Sequence, residues 1–454
     1  MSAEGLKASV EKMRREGVPD AAIATFSHYY EQLEAGESGM IPEDSIEPVR
    51  DLPDSEQLPD RDAPLDRAVV IKLNGGLGTS MGMDRAKSLL EVKDGLAFLD
   101  VIARQVLALR GPGGARVPLV LMNSFYTRED SLALLERYED LASDVPFDFV
   151  QHKEPKLLVD GLAPAEWPAD SSLEWCPPGH GDIYSALLTS GMLELLRERG
   201  YRWAFMSNSD NLGAVLDPRI LAWIAAEELP YVCEVTERTE ADKKGGHIAV
   251  LKETGGLILR ETAQTPDEDM DAFTDVDRHP YFHVNNLWVD LDALDRLLRE
   301  RDGVVGLPMI VNEKTVDPSD SSSPPVYQLE TAMGAAIGVF EGARAIRVPR
   351  SRFVPVKKTS DLLVLRSDAY ALGDGARIEL ARGRSSPPLV ELDDEHYKLL
   401  GDFDARFPAG PPSLAEADRL EVVGDVRFGR GVTVRGRVRV EGPREIEDGA
   451  ELAG

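Results

Sequence analysis

Val69-Val70-Ile71-Lys72-Leu73-Asn74-Gly75-Gly76-Leu77-Gly78-Thr79-Ser80-Met81-Gly82-Met83-Asp84-Arg85-Ala86-Lys87-Ser88-Leu89-Leu90 is the stretch whose reading decides the fold. It opens on a short apolar run, Ala68 to Ile71 and then Leu73, which reads as a buried strand. A loop with Gly75, Gly76, Gly78 and Gly82 follows, and then Lys87. Glycines supply positive φ and carry no Cβ, so backbone N–H groups can close on an anion. Lysine adds a point charge suited to phosphate oxygens. Strand, glycine loop and lysine together predict a site for the phosphates of a nucleotide. A plain turn needs only one or two glycines and no lysine.

Two commoner phosphate loops are excluded. A P-loop ends in Gly-Lys-Ser/Thr, but Ala86 precedes Lys87. The dinucleotide fingerprint, counted from Gly76 and Gly78, requires glycine where Met81 stands, and Gly82 is one residue late. The second mismatch speaks against an NAD-dependent dehydrogenase.

On either side of this stretch the pattern alternates. Val117 to Met122 reads as a strand, with a helix from Arg128 to about Leu141 after it. Trp203 to Met206 reads as another strand, ending in Ser207-Asn208-Ser209-Asp210-Asn211. Such alternation, running from Arg67 to about Arg366, predicts an α/β core: a Rossmann-like, mostly parallel sheet with ligands at the carboxyl ends of its strands. The expected domains are an N-terminal helical segment and connector over 1–66, a catalytic domain over 67–400, and a tail over 401–454. In the first, Leu6, Val10 and Met13 share one helical face, and a second helix runs from Pro19 to Leu33. Residues 41–66 are rich in proline and acids and read as an extended connector.

The tail changes period. Leu414, Leu420, Val426, Val432 and Val438 recur every six residues, as do Val422, Phe428, Val434, Val440, Ile446 and Leu452. A six-residue apolar repeat with turn glycines predicts a parallel β-helix rather than a twisted hairpin.

The net charge of -29, from 51 Lys+Arg against 80 Asp+Glu, argues against nucleic acid and anionic lipid as partners. It also repels anionic substrates at long range, so a nucleotide site must gather its cations locally, with a divalent metal among them. The two cysteines, Cys176 and Cys233, make neither a disulfide framework nor a cysteine-based zinc site, and read as buried residues in a reducing compartment. No basic-then-apolar leader and no apolar run of membrane-spanning length is present, so a soluble cytoplasmic protein is expected.

Leu73 to Gly82 with Lys87-Ser88-Leu89 resembles the eukaryotic-type UTP–glucose-1-phosphate uridylyltransferase family, and later blocks keep the family order to the C-terminus. The related UDP-N-acetylhexosamine pyrophosphorylases have Thr-Arg-Leu-Gly where this chain has Thr79-Ser80-Met81-Gly82, which favours the glucose branch. The resemblance implies a nucleotidyltransferase core, a left-handed β-helix at the C-terminus used for homo-oligomerisation, and Mg²⁺ as cofactor. It implies a reaction in which glucose 1-phosphate attacks the α-phosphate of UTP and pyrophosphate leaves. A phosphate monoester has its second pKa near ~6, so the nucleophile is largely dianionic without a general base. The chemistry then calls for amines, backbone amides and a metal carboxylate. No Gly-x-Ser-x-Gly elbow is present.

By the same resemblance each role falls on a residue. Asp210, in the block Ser207 to Ala214, is the metal ligand, although asparagine-flanked aspartates are by themselves more often caps. Lys87 holds the triphosphate and Lys357, in Arg352-Phe353-Val354-Pro355-Val356-Lys357-Lys358, contacts the reacting phosphates; the apolar run before it predicts a strand-end, inward-facing position, with Lys358 as the surface alternative. Leu73, Asn74, Gly75, Gly76, Gly78, Thr79, Gln151, Gly179 and Asn208 bind the nucleotide, Gln151 reading the uracil edge because an amide both donates and accepts. His180, within Pro177-Pro178-Gly179-His180-Gly181-Asp182, reaches a phosphate; Gly246, Glu261 and Asn285 serve the sugar. The chain departs from the usual family pattern at His247 and His283, both expected to border the sugar pocket. The rival readings are another hexose 1-phosphate, galactose 1-phosphate first, and a nucleotide-sugar-binding regulator without turnover.

Overall fold

Ala68–Asn74, the strand that leads into the glycine loop, is an interior strand of a ten-stranded sheet. The computed structural model describes residues 2–111, 114–239 and 242–454. Ala68–Asn74 pairs in parallel with Trp203–Asn208 on one side and with Leu119–Asn123 on the other, and Asp148–Val150 extends the parallel set. Four parallel neighbours point their carboxyl ends to one edge. The glycine loop, Ser124, Gln151 and Asp210 all follow directly from that edge, where open α/β sheets bind ligands.

Period-2 alternation explains why these strands are buried on both sides. Ala68, Val70, Leu119 and Leu121 enter one hydrophobic cluster, while Val69, Ile71, Val120 and Met122 enter another on the opposite face. Beyond Trp203–Asn208 the sheet turns antiparallel: Tyr281–Asp290 pairs with it, Tyr231–Glu237 pairs with Tyr281–Asp290, and Arg344–Arg347 runs parallel to Tyr231–Glu237. The hairpin His247–Leu251 and Leu257–Arg260 closes that end.

The helix expected from Arg128 to Leu141 stops early, covering Arg128–Leu135, with a short 3₁₀ turn over Glu139–Leu141. Just past its end Arg137 and Tyr138 donate to the buried Asp100 at 3.0 and 2.7 Å, Arg137 from the surface. The N-terminal helices are Ser2–Arg15 and Asp20–Glu34; the second begins after Pro19. Their apolar face, including Met13, Phe26 and Tyr30, packs on Leu157, Met309 and Leu329. The connector is extended, and Ile46–Pro48 within it joins the main sheet antiparallel to His247–Leu251.

In the tail the pairing is parallel throughout. Leu389–Leu392 lies beside Ser413–Val423, which lies beside Thr433–Glu441 and then Glu451–Ala453; Val426–Phe428 pairs with Arg444–Ile446. Leu420 faces Val438, Val422 faces Val440 and Phe428 faces Ile446, an offset of 18 residues, or three of the six-residue steps.

Candidate functional site

Lys87 and Asp210 meet. The Lys87 ammonium donates to Asp210 Oδ2 at 2.6 Å and to the Val356 carbonyl at 2.5 Å. Asp210 is placed by the end of Trp203–Asn208, and its carbonyl accepts the Val356 N–H at 3.1 Å. Lys87 is placed by the glycine loop: its N–H donates to the Gly76 carbonyl at 3.0 Å, and Gly78 and Gly82, at φ +68° and +73°, frame the 3₁₀ turn Thr79–Met81. Asn211 fastens this corner. Its Oδ1 accepts from the N–H groups of Gly213 and Val354, and its Nδ2 donates to the Arg352 carbonyl at 3.2 Å.

Lys357 is therefore one residue from the carbonyl that holds Lys87. The strand expected before it does not form: Asn211–Pro355 is a single bridge, since Pro355 has no N–H to give a ladder, and the segment runs on as a loop into the helix Thr359–Arg366. Lys357, expected to face inward, is exposed on this loop, and it lines a cavity of about 650 Å³ with Lys244, Gly245 and Phe282. Lys358, also exposed, pairs with Asp394 at 3.7 Å on the surface.

Glycine-loop and base-side residues line a second cleft of about 750 Å³. Gly75, Leu77, Thr79, Gln151 and Pro177 form its inner wall, and Lys12 and Arg15 of the first helix reach its rim. A Cβ on Gly75 would overlap the Gln151 carboxamide, so the absent side chain is what leaves room for it. Gly76 faces open space. The Leu73 carbonyl accepts the Ser209 N–H at 3.1 Å. Asn74 is different: its side chain is buried and donates to Asn123 Oδ1 and Ser131 Oγ, both at 2.7 Å, which leaves only its backbone next to the loop.

Gly179, at φ +78°, packs on Thr331, whose carbonyl would lie 2.6 Å from a Cβ there. His180 follows it in the 3₁₀ turn His180–Asp182, and desolvation pushes its imidazole down to about 4. Its Nδ1 accepts the Met333 N–H at 2.9 Å, which fixes the other nitrogen, Nε2, as the protonated donor. Asp182, two residues on, accepts the N–H of His152 at 2.7 Å and faces its Nδ1 at 2.7 Å, tying this loop to the segment that carries Gln151.

On the remaining side, Gly246 sits against Glu261, with Oε2 2.5 Å from where a Cβ would stand. Burial raises the Glu261 carboxyl above its ordinary range, and the nearby Lys357 ammonium works against that rise. Asn285, at φ +58°, donates to Asn208 Oδ1 at 3.1 Å. The two histidines separate. His283 is buried beside Gly334, where a Cβ would come within 2.7 Å of its Nε2, and burial pushes it down to about 3, so it is neutral. His247 turns away from the pocket into buried edge-to-face contacts with His279 and Phe273, because alternation along His247–Leu251 carries it to the covered face.

Sequence reading missed the buried charges underneath. Arg352 and Glu234 form a bidentate pair at 2.7 and 2.6 Å, and Asn286 and Trp288 satisfy the rest of the carboxylate. Lys72 lies beneath the site, and its burial, with Arg352 nearby, pushes the amine down to about 7. The signal was present: Lys72 and Glu234 are charged residues inside apolar strand runs, where charge is costly unless partnered.

The chain is similar to known proteins over nearly its whole length. The family model described as UTP–glucose-1-phosphate uridylyltransferase matches residues 23–435. The potato (Solanum tuberosum) UTP–glucose-1-phosphate uridylyltransferase is 42% identical, over 91% of this chain and 85% of the relative; the barley (Hordeum vulgare) protein of that name is 40% identical, over 99% and 95%. A variant of the Leishmania major UDP-glucose pyrophosphorylase, crystallised in complex with UDP-glucose, superposes with a TM-score of 0.93 at 45% identity, covering 99% of this chain and 98% of that one. The chain belongs to the UTP–glucose-1-phosphate uridylyltransferase family and is a nucleotidyltransferase.

Proposed function

We propose that the protein forms UDP-glucose and pyrophosphate from UTP and glucose 1-phosphate, by in-line attack on the α-phosphate. The observation that carries the reading is the meeting of Lys87 and Asp210 at one strand edge, with Lys357 adjoining through Val356. Two anions must be brought together on a chain of net charge -29, so charge gathered at one point matters more than proton transfer. Lys87 and Lys357 bind the phosphate oxygens, the His180 Nε2–H donates to a third, and Gln151 orients the base across the cleft. Glu261 and Asn285 orient the hexose. No general base is assigned, since the attacking oxygen is already anionic.

Asp210 fits a magnesium ion. Its carboxylate is a hard oxygen ligand, and among the described residues no group of three or more His, Cys, Asp or Glu forms a cage, which suits an ion held by one carboxylate and the phosphates of the substrate. When bound, the ion neutralises charge on the phosphates.

The reading keeps the 1–66, 67–400 and 401–454 division as its working domains, with the connector strand Ile46–Pro48 and the parallel strand Leu389–Leu392 bridging the two boundaries. The 18-residue offset of the tail supports a parallel β-helix, taken as left-handed and as the self-association surface. No helix among the described residues is long and apolar enough to cross a membrane, and a cytoplasmic location goes with the two unpaired buried cysteines.

The test is a panel of sugar 1-phosphates against UTP, TTP, CTP, ATP and GTP, read by pyrophosphate release with and without Mg²⁺. Glucose 1-phosphate with UTP is expected to dominate and to need the metal. Preference for galactose 1-phosphate would move the substrate, and UDP-glucose binding without pyrophosphate release would favour the regulator.

A further inference from the structure

We propose that Lys72 is a positioning residue for uridylyl transfer, its buried amine clamping both ends of the loop that presents Asp210. Lys72 is 1% exposed and faces Ser207 directly in the parallel ladder. Its ammonium donates to Ser207 Oγ at 2.7 Å and to the Ala214 carbonyl at 2.7 Å. Those two residues are the first and last of the segment Ser207 to Ala214, which has Asp210 at its middle. One atom thus spans the base of an eight-residue loop. The face of Phe205, 5.7 Å from the amine, takes the third side.

The choice of lysine is informative. An apolar residue at this position would pack against Phe205 without the cost of burying an amine. A hydroxyl is too short to reach across the loop and has one proton to give. An ammonium offers three rotatable donors on a long stem, so it can satisfy a hydroxyl and a carbonyl that diverge. From outside, Asn211 ties the same loop to Arg352 and Val354, and the Val356 N–H holds the Asp210 carbonyl. The loop is fixed from both sides, and the inner anchor is Lys72. Asp210, Arg352 and Glu234 are the charges that face its amine.

This inference rests on the assignment of Asp210 above, and the experiment separates the two. Ser207→Ala removes one anchor and keeps the amine; Lys72→Met removes the amine and keeps the stem. Each is made alone and with Asp210→Asn, and kcat, both KM values, the melting temperature and UDP-glucose affinity in EDTA are measured. Lys72→Met is expected to lower kcat about tenfold or more and Ser207→Ala less, while both KM values and UDP-glucose affinity stay within about threefold; with Asp210→Asn present the added loss should vanish, the signature of residues acting through one another. Should Lys72→Met not fold, Ser207→Ala decides alone. Full kcat in Ser207→Ala, or an equal loss in both backgrounds, overturns the clamp. Full kcat in Asp210→Asn overturns the assignment of Asp210 and the clamp with it.

Discussion

Lys87 Nζ and Asp210 Oδ2 lie 2.6 Å apart, joining a lysine that follows a glycine loop to an aspartate 123 positions further along the chain. Lys87 opens the short 3₁₀ turn Lys87–Leu89, and Asp210 lies in the turn that follows Trp203–Asn208. What unites them is strand order: the parallel pairing of Ala68–Asn74 with Trp203–Asn208 brings both loops out at the same edge. A fold that places a cation and a carboxylate side by side there, in an acidic protein, has a local charge centre through which phosphates can be held.

Removing either amine tests this centre. Lys87→Ala and Lys357→Ala should each lower kcat by at least ~100-fold, the scale of losing one electrostatic stabiliser. Lys357 is exposed, so its variant should melt within a degree or two of the parent. Near-normal turnover in both folded variants would defeat the assignment.

Two glycines should divide substrate recognition. In Gly75→Ala the new methyl displaces the Gln151 carboxamide, and in Gly246→Ala it displaces the Glu261 carboxylate. The first should raise KM for UTP and the second KM for the sugar phosphate, each about tenfold, the cost of misplacing one polar contact. Initial-rate kinetics with each substrate varied in turn check the split. A rise in both constants in either variant would contradict separate pockets.

The connector carries a pH-dependent tie. Burial works to raise the Glu43 carboxyl, but bonds from Arg278, His279 and Arg260 outweigh it and hold the group below its ordinary value. Arg260 and Arg278 each approach it at 2.5 Å. A carboxyl with a lowered native pKa contributes stability above its unfolded value of 4.5 and loses it as the pH falls through the native value. Glu43→Gln should therefore cost about 2 kcal/mol at pH 7, the range for a hydrogen bond to a charged group. The gap from wild type should narrow at an acid pH below 4.5, as the carboxyl takes up its proton. Urea midpoints at both pH values measure it, and a gap that does not shrink in acid would mean that the charge is not what holds.

Much of this was legible in the sequence because the signals are local. The run Ala68 to Leu73, the glycines after it and Lys87 announce a strand, a loop and a cation without any partner being known. The six-residue period of the tail was equally plain, and its paired strands keep it as an offset of 18 residues. Three features needed the fold. His247 follows Gly246 directly but is the first residue of the strand His247–Leu251, and its ring goes to His279 and Phe273 rather than to Glu261. The strand before Lys357 failed because Pro355, without an N–H, leaves it one bridge. Asn74 shares its block with the glycines, yet its side chain is taken by Asn123 and Ser131, residues 49 and 57 positions away.

The central claim is that Lys87, Asp210 and Lys357 act on one triphosphate. The most direct measurement is a crystal structure with Mg²⁺ and a UTP analogue bearing a methylene between its α- and β-phosphorus atoms. The account predicts both amines on the oxygens of that single chain and Asp210 on the metal beside it. Lys357 turned to the far side of its cavity, or Asp210 without the ion, would contradict it.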